Sequence, residues 1–281
     1  MLPNNQNDTI YFSSLLASDQ RFAETYAQLS AILQRHDIPH GLLENTQDIW
    51  CRDYMPIQIA PGQFVQFRYE PSYLQGLPEL QTNPDLVTVA LGIETVHSPI
   101  NLDGGNLVNW SEQAILTDRI FLENPAYERH ALIKKLEETL QAEVLLIPAC
   151  LSDCTGHVDG MLRFVDAKTL IGNQRDQEYR YIQKGIQKIL QSHGFAYIDL
   201  PFFTHKDKQY PDTALGCYAN FLEVADLIIL PIFEIPGNRD EEALSVMQQA
   251  FPTRHIETLN INAFGVFGGL GNCVSWGRRV N

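Results

Sequence analysis

EYRYIQKGIQKILQSHGFAYIDL, residues 178–200, passes from a helical pattern to a strand in one short stretch. Ile182, Ile186, Ile189 and Leu190 recur at the spacing that gathers them on one helical face. Ala196–Leu200 is brief and rich in β-favouring residues, so it reads as a strand. The same succession recurs elsewhere. Phe22, Tyr26, Leu29 and Leu33 mark one helical face, with Ser18 or Asp19 as its expected N-cap. Asn83-Pro84 signals another start, a capping side chain before a proline suited to the first turn. Leu132, Leu136 and Leu140 mark a third helix, and Ala243, Val246, Met247 and Ala250 a fifth. The starts lie near 20, 84, 129, 178 and 241, at intervals of roughly 45 to 65 residues, which points to a repeated supersecondary unit without residue-level repetition.

β-rich stretches flank these helices at Thr9–Phe12, Phe64–Tyr69, Ala114–Thr117, Val144–Ile147, Met161–Val165, Leu227–Leu230 and Cys273–Trp276. The class is α/β. No linker or low-complexity block interrupts the 281 residues, so a single domain is expected over 1–281. The formal charge of -14, from 34 acidic and 20 basic residues, argues against a nucleic-acid surface and favours a small cationic partner. No apolar run approaches a membrane span, and the first residues lack the basic and apolar regions of a secretory signal. A cytoplasmic location follows as the expectation. The five scattered cysteines then read as reduced thiols. Oligomeric state is not legible, and a homo-oligomer is compatible with the sequence.

Four segments carry chemistry, and each sits where a strand meets an irregular or glycine-containing stretch. In Phe267-Gly-Gly-Leu-Gly-Asn-Cys273-Val-Ser-Trp276 the glycines Gly268, Gly269 and Gly271 are read as permitting unusual backbone angles that set Cys273 beside a ligand, as a nucleophile. In Thr155-Gly-His157-Val-Asp159 an extended backbone would point His157 and Asp159 to the same side, a base beside a carboxylate; half of a metal site or a structural histidine are the other readings. In Gln47-Asp48-Ile-Trp50-Cys-Arg52-Asp53, Asp48 and Arg52 read as an ion pair locking a loop against the Trp50 indole, which leaves Asp53 to face a pocket. Asp103-Gly-Gly-Asn106 is either an ordinary turn or a carboxylate placed to orient the histidine.

Taken in order with Ala219-Asn-Phe221, these motifs resemble the agmatine deiminase and Porphyromonas-type peptidylarginine deiminase family of guanidino-group-modifying enzymes, over nearly the whole chain. The resemblance implies a five-bladed, pseudo-symmetric α/β propeller of ββαβ units around a central active-site pocket. It implies Cys273 as nucleophile, His157 as general acid/base and Asp103 as the partner of the histidine. Asp53 and Asp159 would grip the guanidinium, with Trp50, Arg52 and Asn106 as further substrate-binding candidates. No cofactor and no metal are implied. Asp103 stands where the family often has Glu, Asn272 where agmatine deiminases often have His, and their tryptophan-rich opening is absent. The expected reaction is hydrolytic deimination of a guanidino compound, first of all agmatine to N-carbamoylputrescine and ammonia. Deimination of free or peptidyl arginine, amidinotransfer, and a catalytically silent guanidinium-binding protein are the alternatives.

Overall fold

The helix expected from residues 178–200 forms over Arg180–His193 and buries Ile182, Ile186, Ile189 and Leu190. It ends at Gly194, whose φ of 67° is left-handed and whose N–H returns to Leu190 O, a cap that other residues adopt only with strain. The strand Ala196–Leu200 follows at once. It lies parallel to Thr169–Asn173, which pairs antiparallel with Leu162–Asp166 through a tight turn at 167–168. Strand, turn, antiparallel strand, helix and parallel strand make one ββαβ unit. The computed structural model, which describes residues 1–206 and 208–280, holds five such units, each with a three-stranded sheet.

In chain order the strands are β1 Thr9–Ser13, β2 His40–Leu43, β3 Ile57–Ala60, β4 Gln63–Arg68, β5 Thr95–Asn101, β6 Val108–Trp110, β7 Gln113–Thr117, β8 Glu143–Ile147, β9 Leu162–Asp166, β10 Thr169–Asn173, β11 Ala196–Leu200, β12 Leu222–Val224, β13 Leu227–Ile232, β14 His255–Asn260 and β15 Ser275–Arg278. The helices between middle and outer strands are α1 Ala23–Arg35, α2 Pro84–Ala90, α3 Arg129–Leu140, α4 Arg180–His193 and α5 Asp240–Ala250. Four sheets are continuous in sequence: β3-β4-β5, β6-β7-β8, β9-β10-β11 and β12-β13-β14. The fifth, β15-β1-β2, is closed by both ends of the chain, with Thr9 opposite Arg278 and Phe12 opposite Ser275. The first strand of each unit, β3, β6, β9, β12 or β15, faces a common axis. Gln58, Asn109, Arg163, Glu223 and Trp276, one from each, line a single cavity of about 50 Å³ there.

Several expectations are corrected. The first long helix becomes regular at Ala23, and Asp19 opens the turn that leads into it, its carboxylate accepting the Arg21 N–H and its carbonyl the Ala23 N–H, while Ser18 makes no such bond. The last strand begins at Ser275, so Cys273 stands before the strand, not in it. His157 and Asp159 are not on an extended segment: His157 precedes a 3-10 turn over Val158–Gly160 that contains Asp159. Of the three glycines before Cys273, only Gly268, at φ 105°, has an angle closed to other residues. Gly269 matters for space, since a Cβ there would collide with the Trp50 ring.

Apolar layers between helices and sheets hold each unit, and α4 is the clearest case. Its buried face meets Leu162, Phe164 and Leu170 of β9 and β10. Truncating Ile186, 1 % exposed in that layer, to alanine removes buried methylenes and leaves a void. The expected cost is about 2–5 kcal/mol, read as a lower urea midpoint with an unchanged m-value. Among the described residues no helix is long and apolar enough to cross a membrane.

Candidate active site

The leading ends of the five inner strands carry the residues singled out by the motifs. Asp53 precedes β3, Asp103 precedes β6, His157 and Asp159 precede β9, Asn220 precedes β12 and Cys273 precedes β15. Because these strands share an axis, residues more than two hundred positions apart meet in one place.

The contacts are direct. Cys273 Sγ lies 3.6 Å from Asp159 Oδ2 and receives a hydrogen bond from Asn220 Nδ2 at 3.2 Å. Asn220 Oδ1 accepts from the backbone N–H of Cys273 at 3.3 Å and of Asn272 at 3.1 Å, so one carboxamide sets both the turn and the sulfur. His157 Nε2 meets Asp103 Oδ2 at 3.0 Å, which leaves Nδ1 for proton transfer, 3.6 Å from Asp53 Oδ1. The shorter side chain of Asp103 therefore reaches the imidazole without a bridging group. Asp53 Oδ1 also accepts the Gly105 N–H at 3.0 Å. Gly105 is required here by space, since a Cβ would stand 2.5 Å from His157 Nδ1 and 2.6 Å from Asp53 Oδ1.

Asp53, Asp103, His157 and Asp159 are all buried. Burial opposes a charge on His157, but the carboxylates of Asp53 and Asp103 outweigh it and push the imidazole up to about 10. The charged form of the ring is thus favoured while those carboxylates are ionised. Asp53 is pushed up to about 8 by burial, with the attraction of His157 opposing and the repulsion of Asp103 and Asp159 adding. Cys273 is held well above the ordinary thiol range by burial, then by Asp159 and Asp53. Three carboxyl groups gathered around one imidazole make a cluster rich in acceptors, to which a planar cation would add both charge and hydrogen-bond donors.

The remaining candidates fall elsewhere. No ion pair joins Asp48 and Arg52. Asp48 accepts the Trp50 N–H at 2.9 Å, while Arg52 binds the nucleophile's turn from behind, its Nε to Asn272 O at 3.3 Å and its N–H to Cys273 O at 3.2 Å. Arg52 also lines the axial cavity, so it is a strut for the site. Trp50 is half-buried and lies against Gly269 at the turn before Cys273. Asn106 uses its Oδ1 on the Thr117 N–H at 2.9 Å, and Thr117 Oγ1 lies 2.8 Å from both that atom and Gly156 O. It braces the turn ahead of His157.

Two residues escaped the motif reading. Asn220 lay in a quoted motif without a role, and its signal was positional, as the segment before the fourth inner strand. Tyr73 had no signal: it stands in an aperiodic loop, donates to Asp103 Oδ2 at 3.0 Å and sets its ring edge-on to His157 with centroids 6.0 Å apart. The loop is anchored by Ser72, whose N–H and Oγ donate to Glu123, itself paired with Arg119.

The fold has close counterparts. A C. jejuni agmatine deiminase with substrate bound matches at a TM-score of 0.78 and 17% identity, covering 99% of this chain and 95% of that one. The agmatine deiminase of Enterococcus faecalis matches at 0.76 and 17%, covering 98% and 94%. The N-terminal domain of a cyanobacterial arginine dihydrolase matches at 0.61 and 10%, covering 97% and 99%. No curated protein matches the sequence. The model of the Porphyromonas-type peptidyl-arginine deiminase family matches residues 13–277, so with five ββαβ units and five converging strand ends the chain belongs to that family of guanidino-group deiminases.

Proposed function

We propose that the protein hydrolyses the guanidino group of a small cationic substrate, agmatine first, to a ureido product and ammonia, using Cys273 as nucleophile. What carries the reading is one thiol and one imidazolium set among the carboxyl groups of Asp53, Asp103 and Asp159. A guanidinium is planar and stays protonated, so its carbon is a poor electrophile until it is oriented. Asp53 and Asp159 hold the planar fork, which offsets their charge and lets the Cys273 thiol ionise. The thiolate adds to the central carbon. His157, whose charged form is favoured by the ionised carboxylates around it, gives its proton to one nitrogen, which leaves as ammonia, and a thiouronium remains on the sulfur. Neutral His157 then takes a proton from water as the oxygen bonds to carbon. The carbon–sulfur bond breaks, the ureide leaves, and the released proton accompanies ammonia as ammonium. The net charge of -14 supports a substrate without a carboxylate of its own, and so agmatine ahead of arginine.

The test is ammonia release across agmatine, arginine, arginyl peptides and methylguanidine, with Cys273→Ala as control. Ammonia from none of them would remove the hydrolytic reading. The titration of Asp53 gives a second expectation. Below about 8 that carboxyl holds a proton which a bound guanidinium must displace. Affinity for methylguanidinium therefore rises with pH, by about tenfold per unit between pH 6 and 8, then levels off. Calorimetry in buffers of different ionisation enthalpy reads the released proton, and a pH-independent affinity contradicts the role of Asp53.

A further inference from the structure

Asn272, next to the nucleophile, has all its polar groups engaged. Its N–H donates to Asn220 Oδ1 at 3.1 Å, and its carbonyl accepts from Arg52 Nε at 3.3 Å and Ser275 Oγ at 3.1 Å. Its side chain is buried, and Nδ2 donates to Asp159 Oδ2 at 2.7 Å. That bond decides which way the amide faces, since the carboxylate oxygen accepts and Asn272 must present its NH₂. Oδ1 therefore points away from the site. There it meets Asn4 Nδ2 at 3.5 Å, from the 3-10 turn Asn4–Gln6 that packs against β12 and β15. Asn4 and Asn272 both line the axial cavity. Its volume of about 50 Å³ admits a few waters and no substrate, so its wall serves the site from behind.

We propose that Asn272 is a positioning residue that fixes the Asp159 carboxylate for a guanidinium, and that Asn4, remote from the reacting groups, fixes the Asn272 amide in turn. The inference rests on the guanidinium reading of the site given above. Asp159 Oδ2 is shared by the Asn272 amide at 2.7 Å and the Cys273 thiol at 3.6 Å. With the amide in place the carboxylate has one orientation, and the entropy of ordering it is already spent when the cation arrives. Without it the group is free to rotate toward the thiol.

The experiment measures methylguanidinium affinity on the full-length Cys273→Ala protein. Adding Asn272→Ala is expected to weaken binding about tenfold, the scale of one charge-assisted hydrogen bond, and Asn272→Ser, which keeps a short donor, to recover part of it. Asn4→Asp is the sharper variant. Its new carboxylate would face Asn272 Oδ1, repel it and turn the amide so that oxygen meets Asp159. The relay predicts binding several-fold weaker, whereas added negative charge acting through space would tighten binding of a cation. Affinity that is unchanged in a folded Asn272→Ala, or equal or tighter in Asn4→Asp, overturns the proposal. If Asn272→Ala lowers Tm so far that it cannot be read, Asn4→Asp decides alone. Should the parent not bind methylguanidinium, the function proposed above fails. The relay is then decided by the Asn272 side-chain amide resonances, which Asn4→Asp must shift and which, if unmoved, overturn it.

Discussion

Cys273→Ala is expected to release no measurable ammonia from agmatine and still to bind guanidinium compounds. The loss is on the order of 10⁶-fold in kcat, as for removal of the nucleophile in a site whose groups act as a unit. Binding is expected to survive because the groups proposed to meet the cation belong to other strands: Asp53 ahead of β3 and Asp159 ahead of β9. Both are fixed by partners other than the sulfur, Asp53 by the Gly105 N–H and Asp159 by Asn272 Nδ2. The substitution also removes a thiol facing Asp159 at 3.6 Å without disturbing the Asn220 bond to the backbone N–H. Calorimetry with agmatine and an ammonia assay on the same preparation separate the two effects. Turnover that persists in this variant would place the covalent step elsewhere.

Gly105→Ala is expected to lower kcat about 10²-fold or more in a protein that remains folded. The new methyl would occupy a point 2.5 Å from His157 Nδ1 and 2.6 Å from Asp53 Oδ1, far inside contact distance for both. Neither group moves away freely. His157 is held by Asp103 through Nε2, and Asp53 is held by the N–H of residue 105 itself. A displacement of about 1 Å between an acid/base and a substrate grip is enough for a loss of this size. The variant must be compared with the parent for Tm and for methylguanidinium affinity, which should fall with kcat. Near-normal turnover would mean that His157 Nδ1 and Asp53 are not both at the reacting centre.

The site was more legible than the sheets that carry it. Residues with reactive side chains announce themselves as uncommon neighbours, and His157, Asp159, Asp53, Asp103 and Cys273, which the structure brings together, all lay in such clusters. Of the inner strands, β9 and β15 overlapped the β-rich stretches Met161–Val165 and Cys273–Trp276, but β3, β6 and β12 gave no signal. β6 and β12 are three residues long, and their turns, Ser111-Glu112 and Ala225-Asp226, reach positive φ at Ser111 and Ala225 without the Asn-Gly or Asp-Gly that marks a hairpin. Their burial on a crowded axis makes up for weak local signals. Helices were readable because apolar faces such as Leu132, Leu136 and Leu140 persist over several turns. Arg52 was misread for a physical reason: charge pairing within a loop was assumed, whereas its guanidinium satisfies carbonyl oxygen from the opposite end of the chain. Tyr73 was invisible because its partner Asp103, at the end of the same unit, is brought to it only when that unit folds.

The joining of β1 to β15 fixes an order of assembly. A ribosome delivers the chain from residue 1 onward, so four complete units and every carboxyl group of the site exist before Cys273 does. The last strand enters beside the first, and its pairing with Thr9–Phe12 is what carries the sulfur to Asp159 and Asn220. The thiol therefore joins the carboxyl groups of the candidate site in a single step, when β15 pairs with β1 and the ring shuts.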